Sequence, residues 1–240
     1  MPASQRLAVV IPALNEEGAI GSVVSELCDV RAPGGDSQLI ETVVVADNGS
    51  TDATSQRAKA AGAEVVFEPE QGYGAACLCA IEYLRTRSEG PPDILVFVDG
   101  DGSNDANEVS NLVAPIARDE ADLVIGSRTR LADPGSLTLP QRFGNHLASF
   151  LLRRLYDTAT TDLGPFRAIR WTDYERLGMV DRDYGWTVEM QVKAAKLGLR
   201  VAEIDVHNRA RRAGRSKVAG TVKGVAGAGY KIIWTIARYR

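Results

Sequence analysis

The chain has 240 residues, 45% of them hydrophobic and 25% charged, with a formal net charge of −3. That length fits one large α/β domain, or a domain with a small appendage, and is enough to bury a substantial core; no uninterrupted apolar run of about 18 residues exists to cross a bilayer. No apolar signal segment opens the chain, and Cys28, Cys77 and Cys79 have neither metal-ligand spacing nor an even count, so reduced thiols in a cytoplasmic protein are expected.

In chain order, Leu7 to Ile11 reads as a buried strand, and Glu16 to Val30 as a helix with Ile20, Val23, Val24 and Leu27 on one face and Asn15 as its N-cap. A Pro/Gly loop leads to a second strand, Leu39 to Ala46, and a turn, Asp47-Asn48-Gly49-Ser50. A helix from Thr51 to Ala61, a strand from Ala63 to Phe67 and a helix opened by Gln71-Gly72-Tyr73-Gly74 follow. The apolar run Ile94-Leu95-Val96-Phe97-Val98 predicts a strand buried on both faces. A helix near residues 107–119 and a strand from Asp122 to Gly126 complete a strand–helix alternation, which predicts a doubly wound, mostly parallel sheet with helices on both faces. The alternation weakens after Ser127. An irregular loop over 129–140, a helix over 142–156, a short strand near 166–169, a helix over 184–197 and a strand over 201–206 are expected. The divide is placed near residue 127, within a domain spanning 1–217.

Asp99-Gly100-Asp101 closes the most apolar strand. In an open α/β sheet ligands bind beyond the carboxyl ends of the strands. Residues two apart in an extended segment share a side. Asp99 and Asp101 can therefore converge on one hard cation, Mg²⁺ or Mn²⁺, which in turn can hold a diphosphate. Asp-Gly is also ordinary turn chemistry, so a plain strand-end turn fits the same residues.

Three further strand-end segments accompany it: Pro12-Ala13-Leu14-Asn15-Glu16, Asp47-Asn48-Gly49-Ser50-Thr51-Asp52 and Gln71-Gly72-Tyr73-Gly74. The second half adds Ile125-Gly126-Ser127-Arg128, Arg142 with Gly144-Asn145, Asp162 to Arg167, and Arg211 through Lys217. In this order and spacing the chain resembles the inverting GT-A glycosyltransferases of family 2, and within them the dolichyl-phosphate mannose or glucose synthases. The resemblance covers nearly the whole chain. It implies transfer of a sugar from a GDP- or UDP-sugar to a polyprenyl or dolichyl phosphate, with a divalent cation. Pro12, Leu14 and Glu16 match positions that clasp the nucleoside, and Asp47 matches a base-contacting carboxylate with Val45 beside it in the core. Asp101 matches the primary metal ligand, and Asp99 a partner of the ribose or of the metal site, with Gly100 between them. Ser103 stands where many lipid-phosphate synthases carry Gln; its shorter hydroxyl leaves room for a water in the metal's shell. Arg128 and Arg142 match phosphate-positioning arginines, the guanidinium being suited to bidentate phosphate binding. Arg211 and Lys217 match a C-terminal loop that closes over the donor. Residues 1–127 are thus expected to bind the nucleotide sugar and 128–217 to face the acceptor.

A lipid phosphate is already an anion and needs cations to position it, whereas a hydroxyl acceptor needs a general base. Asp162 and Glu189 are the carboxylates best placed for that role if the acceptor is a soluble or protein hydroxyl. Trp171 and Trp186 read as core or acceptor-platform residues, His146 as helical, and His207 as a strand-end residue near the basic loop. A sugar-phosphate nucleotidyltransferase shares the nucleotide-binding plan, but its Gly-x-Gly-Thr-Arg signature is absent from the first strand. A nucleotide-sugar sensor without turnover is the non-enzymatic alternative.

From His207 to Arg240 there are nine Lys and Arg and no acidic residue, leaving a net charge of −12 on the other 206 residues. With few aromatics and no recognised motif, this tail predicts no nucleic-acid partner. Val218, Val222, Val225, Ile232 and Ile236 share one face of a helix over 218–240, and Lys223, Lys231 and Arg238 another. That basic amphipathic pattern suits peripheral contact with the cytoplasmic face of a membrane, and equally a helix packed on the catalytic domain.

Overall fold

The structure, a computed structural model, describes residues 5–35, 37–214 and 222–239. Among these, seven strands form one sheet: β1 (Leu7–Ala13), β2 (Thr42–Asp47), β3 (Glu64–Phe67), β4 (Ile94–Phe97), β5 (Leu123–Ser127), β6 (Arg167–Arg170) and β7 (Val201–Asp205). Their order is β3-β2-β1-β4-β6-β5-β7. All neighbours run parallel except β6, which is antiparallel to both β4 and β5. The fold is the doubly wound α/β class expected from the alternation of elements.

Period-two patterning splits the strands between two helical layers. Val9, Ile11, Val43, Val45 and Val96 point to the layer formed by α1 (Ile20–Cys28), α2 (Thr54–Ala60) and α4 (Val109–Ala117). Ala8, Val10, Val44, Leu95 and Phe97 point to α3 (Tyr73–Thr86), α6 (Trp171–Leu177) and α7 (Trp186–Lys196). Trp171 and Trp186 both lie in this second core, so the core reading of the two tryptophans holds. A third, smaller cluster joins α5 (Leu139–Tyr156), α7 and α8 (Val222–Arg238) through Ala148, Leu152, Val188, Val192 and Ile236.

Several elements differ from the sequence expectation. Helix α1 starts at Ile20, and Asn15 is not its N-cap: Asn15 takes φ 51° and sits in the preceding turn. A single turn over residues 17–19 follows before the helix begins, the Ala19 and Ile20 N–H groups both donating to the Glu16 carbonyl. Helix α4 is preceded by a 3-10 turn, Ala106–Glu108, in which Asp105 accepts the Asn107 N–H. Helix α5 starts earlier than expected, under a reciprocal capping box between Thr138 and Gln141. The short helix α6 follows β6 without a loop, and its seven residues are too few to show a period.

The reversed direction of β6 matters for function. Phe97 pairs with Arg167 on one side, and Ile125 pairs with Arg167 on the other. The residues entering β6, Asp162 to Phe166, therefore lie at the same edge as the carboxyl ends of β4 and β5. An antiparallel strand thus contributes its N-terminal approach to a site otherwise built from strand C-termini.

Candidate active site

The β1 and β2 ends interlock. The Asn15 N–H donates to Ser50 Oγ at 2.9 Å, and Asn15 Oδ1 accepts the Thr51 N–H at 2.8 Å. The Glu16 N–H donates to Thr54 Oγ1 at 2.8 Å, and the Glu16 side chain is buried. Asp47 is 5% exposed; Oδ1 accepts the Ser50 N–H at 2.9 Å and Oδ2 accepts the Ser55 hydroxyl. The carboxylate thus makes the expected turn, and each oxygen retains a second lone pair for a ligand. Val45 is fully buried, as expected, while Pro12 and Leu14 are half-buried at the rim.

Gly100 lets the β4 end approach β1, since an added Cβ would stand 3.3 Å from Ile11 Cγ2. Asp99 and Asp101 flank it. The Asp99 N–H donates to Asn104 Oδ1 at 2.9 Å. Burial, and next the neighbouring Asp101 carboxylate, push the Asp99 carboxyl up to about 7, against the pull of Arg128 and Arg211. Asp101 Oδ1 accepts the Ser103 N–H at 2.9 Å, so Ser103 orients the carboxylate through its backbone. A cation already lies on the other oxygen: Arg211 Nη2 is 2.7 Å from Asp101 Oδ2, with Arg211 Nη1 3.5 Å from Glu16 Oε1. This stand-in, and two hard carboxylates held side by side, fit a divalent cation such as Mg²⁺ or Mn²⁺. Among the described residues no group of three or more His, Cys, Asp or Glu gathers to hold a metal by itself.

The segment carrying Arg211 is stitched to the metal-loop backbone. The Arg209 N–H donates to the Ser103 carbonyl at 2.9 Å and the Arg212 N–H to the Asp101 carbonyl at 3.0 Å. Arg209 pairs with Asp105, and Arg212 with Glu26 at 2.5 Å. The sequence reading missed these two arginines; adjacent basic residues gave no sign of which would face the site. His207 pairs with Glu108 at 2.9 Å. Lys217 lies outside the described residues.

Arg128 follows β5 and meets Asp162 from the β6 approach. Two guanidinium bonds, at 2.8 and 2.7 Å, and the Arg128 N–H at 2.8 Å all go to that carboxylate. Burial pushes the Asp162 carboxyl up, but the Arg128 bonds outweigh it and hold the group below the usual range. Asp162 thus anchors Arg128, with both of its oxygens engaged by that one residue. Glu189 is fully buried, accepts the Val180 and Asp181 N–H groups and pairs with Lys193 at 2.7 Å; it too is structural. Arg128 has only Nη1 uncommitted in this arrangement, whereas Arg142, on the exposed first turn of α5, makes no ion pair among the described residues.

Two supports lie in segments that the sequence singles out without giving either residue a role. Arg167 is fully buried and donates to the carbonyls of Leu163, Gly164 and Thr187. Asn145, on α5, accepts the Leu163 N–H at 2.8 Å and donates to the Thr161 carbonyl at 3.1 Å. Together they fix the loop that presents Asp162. Beside it lies a cleft of about 930 Å³, lined by Arg128, Arg142, Phe143, His146, Ile232 and Ile233 among others.

A seven-stranded sheet with paired carboxylates beyond β4 and an arginine-lined cleft beside them is the architecture of a GT-A glycosyltransferase. The chain belongs to glycosyl transferase family 2, whose model matches residues 8–178. An uncharacterised glycosyltransferase of Mycobacterium tuberculosis (strain ATCC 25618 / H37Rv) is 37% identical over 224 residues, covering 92% of this chain and 94% of the relative. A dolichyl-phosphate hexose transferase of Haloferax volcanii is 30% identical, covering 92% of this chain and 90% of the relative. Among solved structures, glucosyl-3-phosphoglycerate synthase of Mycobacterium tuberculosis, in complex with Mn²⁺, UDP and phosphoglyceric acid, is similar with a TM-score of 0.73. It is 26% identical and covers 99% of this chain and 79% of its own.

Proposed function

We propose that this glycosyltransferase moves a sugar, with inversion, from a UDP- or GDP-sugar to a polyprenyl phosphate in a divalent-cation-dependent reaction. The observation that carries the acceptor is the state of the cleft carboxylates. Asp162 is locked by Arg128. Glu203 accepts the Thr161 and Asp162 N–H groups at 2.7 and 2.9 Å, and Asp205 pairs with Arg130 at 3.3 Å. A hydroxyl acceptor needs a base that this wall does not offer; a phosphate, already ionised, needs only cations and room. Arg142 supplies the cation, Arg128 its remaining Nη1, and the cleft between α5 and α8 the room. The similarity to a dolichyl-phosphate hexose transferase supports the same reading.

On this reading Asp47 accepts from the base, Pro12, Leu14 and Glu16 frame the nucleoside, and Asp99 and Gly100 border the ribose. Asp101, assisted by Asp99 and Ser103, holds the cation. When bound, the cation supplies Lewis-acid stabilisation of the diphosphate leaving group as the anomeric carbon becomes oxocarbenium-like. Arg211 lies on Asp101 and must yield an oxygen to it; it is then placed to contact the diphosphate, with Lys217 further along the same segment. A phosphate oxygen held by Arg142 attacks the anomeric carbon from the opposite face, and the nucleoside diphosphate departs.

The solved complex with phosphoglyceric acid favours a second reading, in which a small soluble phosphate-bearing acceptor uses the same arginines. Purified protein with Mn²⁺ and UDP- or GDP-sugars should be offered a short polyprenyl phosphate, the matching alcohol and 3-phosphoglycerate. Glycosylation of the polyprenyl phosphate alone is expected. Transfer to 3-phosphoglycerate alone assigns the second reading, and transfer to the alcohol removes the argument from the cleft carboxylates.

A further inference from the structure

We infer that the outer face of α5, with the adjoining face of α8, is a docking surface for an anionic lipid bilayer. The inference goes beyond the acceptor reading and does not require it. Of eleven exposed large hydrophobic residues in the described chain, six lie on these two helices, which pack together through the third core cluster. On α5, Leu139, Phe143 and Phe150 are 79%, 71% and 52% exposed. With His146 they recur at i, i+4, i+7 and i+11, which is a single stripe along the helix. A helix that buries Ala148 and Leu152 against the domain has no folding reason to carry two phenylalanines outward.

Charge points to the partner. Residues 139–156 and 222–238 contain no Asp or Glu, although acidic residues outnumber basic ones in the chain as a whole. Arg142, Arg153 and Arg154 flank the α5 stripe, are exposed, and make no ion pair among the described residues. On α8, Ile233 and Trp234 are exposed, and the Trp234 ring carries Arg238 at 4.9 Å and Lys231 at 5.2 Å. Lys231 is paired with Asp181 at 3.1 Å, but the arginines remain, and an apolar stripe bordered by exposed cations is the composition that sinks into the headgroup layer of an anionic membrane. At its C-terminal end α8 is held to the domain: Ile236 is buried, and the Tyr156 hydroxyl donates to the Ile236 carbonyl at 2.7 Å. The C-terminal helix therefore braces the surface, and α5 supplies most of it. Phe143 and Ile233 line the cleft as well as the surface, so its mouth opens toward the bilayer.

The test uses the full chain, phosphatidylcholine vesicles and equimolar phosphatidylcholine–phosphatidylglycerol vesicles. Cosedimentation with the anionic vesicles and little with the neutral ones is expected. L139S/F150S, neither residue of which lines the cleft, should bind anionic vesicles at least tenfold more weakly. R154E should lose about fivefold or more, an arginine being worth about 1 kcal/mol near such a surface. The far-UV circular dichroism spectrum and Tm, measured in parallel, should be unchanged and confirm folding. No vesicle binding by the wild-type chain, or undiminished binding by L139S/F150S, overturns the inference. So does a wild-type dimer that L139S/F150S disperses without any vesicle binding, which assigns the face to a second copy. Transfer to a detergent-solubilised polyprenyl phosphate, assayed separately, tests the acceptor reading whatever the vesicles show.

Discussion

Asp99 and Asp101 are two residues apart yet differ in their surroundings. Asp101 has an arginine on one oxygen and a backbone N–H on the other, whereas burial and its neighbour raise Asp99 to about 7. An unfolded aspartate ionises near 3.8, so between roughly pH 4 and 7 the folded chain retains a proton that the unfolded chain has lost. This contribution to stability is complete below the unfolded value and disappears as pH rises through about 7. In chelator, the wild-type Tm should therefore fall relative to Asp99→Asn from pH 5 to pH 8, and Mn²⁺ at pH 8 should reverse the difference; parallel curves would refute the coupling. Asp101→Ala should abolish Mn²⁺-dependent nucleotide binding and slow transfer by about 10²-fold or more, as read by calorimetry and product assay. The two arginines separate similarly. Arg128→Ala strands a buried Asp162, at a cost of roughly 3–5 kcal/mol, and should lower Tm markedly. Arg142→Ala should leave Tm unchanged and reduce transfer about 10- to 100-fold through a lost charged hydrogen bond. Equal Tm for both variants would contradict the distinction.

Elements place these residues through close approaches that depend on small side chains. The Gly-rich turn Gln71–Gly74 lacks the ending of a Walker motif. In the structure its glycines serve packing. A Cβ on Gly74 would overlap the Asp181 carbonyl, and the next residue, Ala75, donates its N–H to the Arg182 carbonyl at 2.8 Å. Asn48 links the same turn to the Asp47 loop, accepting the Gly72 N–H at 2.7 Å. Gly74→Ala should cost about 1–3 kcal/mol by overpacking, a fall of several degrees in Tm for a chain of this size. An unchanged melting curve would show that the 181–182 segment can withdraw freely.

For the whole molecule, the carboxyl ends of β1, β2 and β4 and the arginine-lined cleft share one edge of the sheet. Binding to the folded state alone stabilises by mass action. UDP with Mn²⁺ at about 100 times its dissociation constant should add roughly 2.7 kcal/mol and raise Tm, while UDP with chelator should add much less. A thermal-shift series over UDP, GDP and their sugars reads both the base and the metal requirement. Equal shifts with and without Mn²⁺ would detach the cation from donor binding. Among the described residues no helix is long and apolar enough to cross a membrane.

Most strands, their mainly parallel arrangement and the place of Asp99 and Asp101 were legible in the sequence, because apolar runs and turn residues act locally and strand ends collect ligands. Asp47 was legible for the same reason. The sequence could not show that β6 inserts backwards between β4 and β5, since direction in a sheet is set by long-range pairing and not by local pattern. That reversal carries Asp162 to Arg128 and converts a candidate base into an anchor. Nor could it show that α8 turns Ile236 inward while α5 turns phenylalanines outward. A helical stripe records that one face differs from the other; only packing against α7 decides which face meets the protein and which is left to solvent.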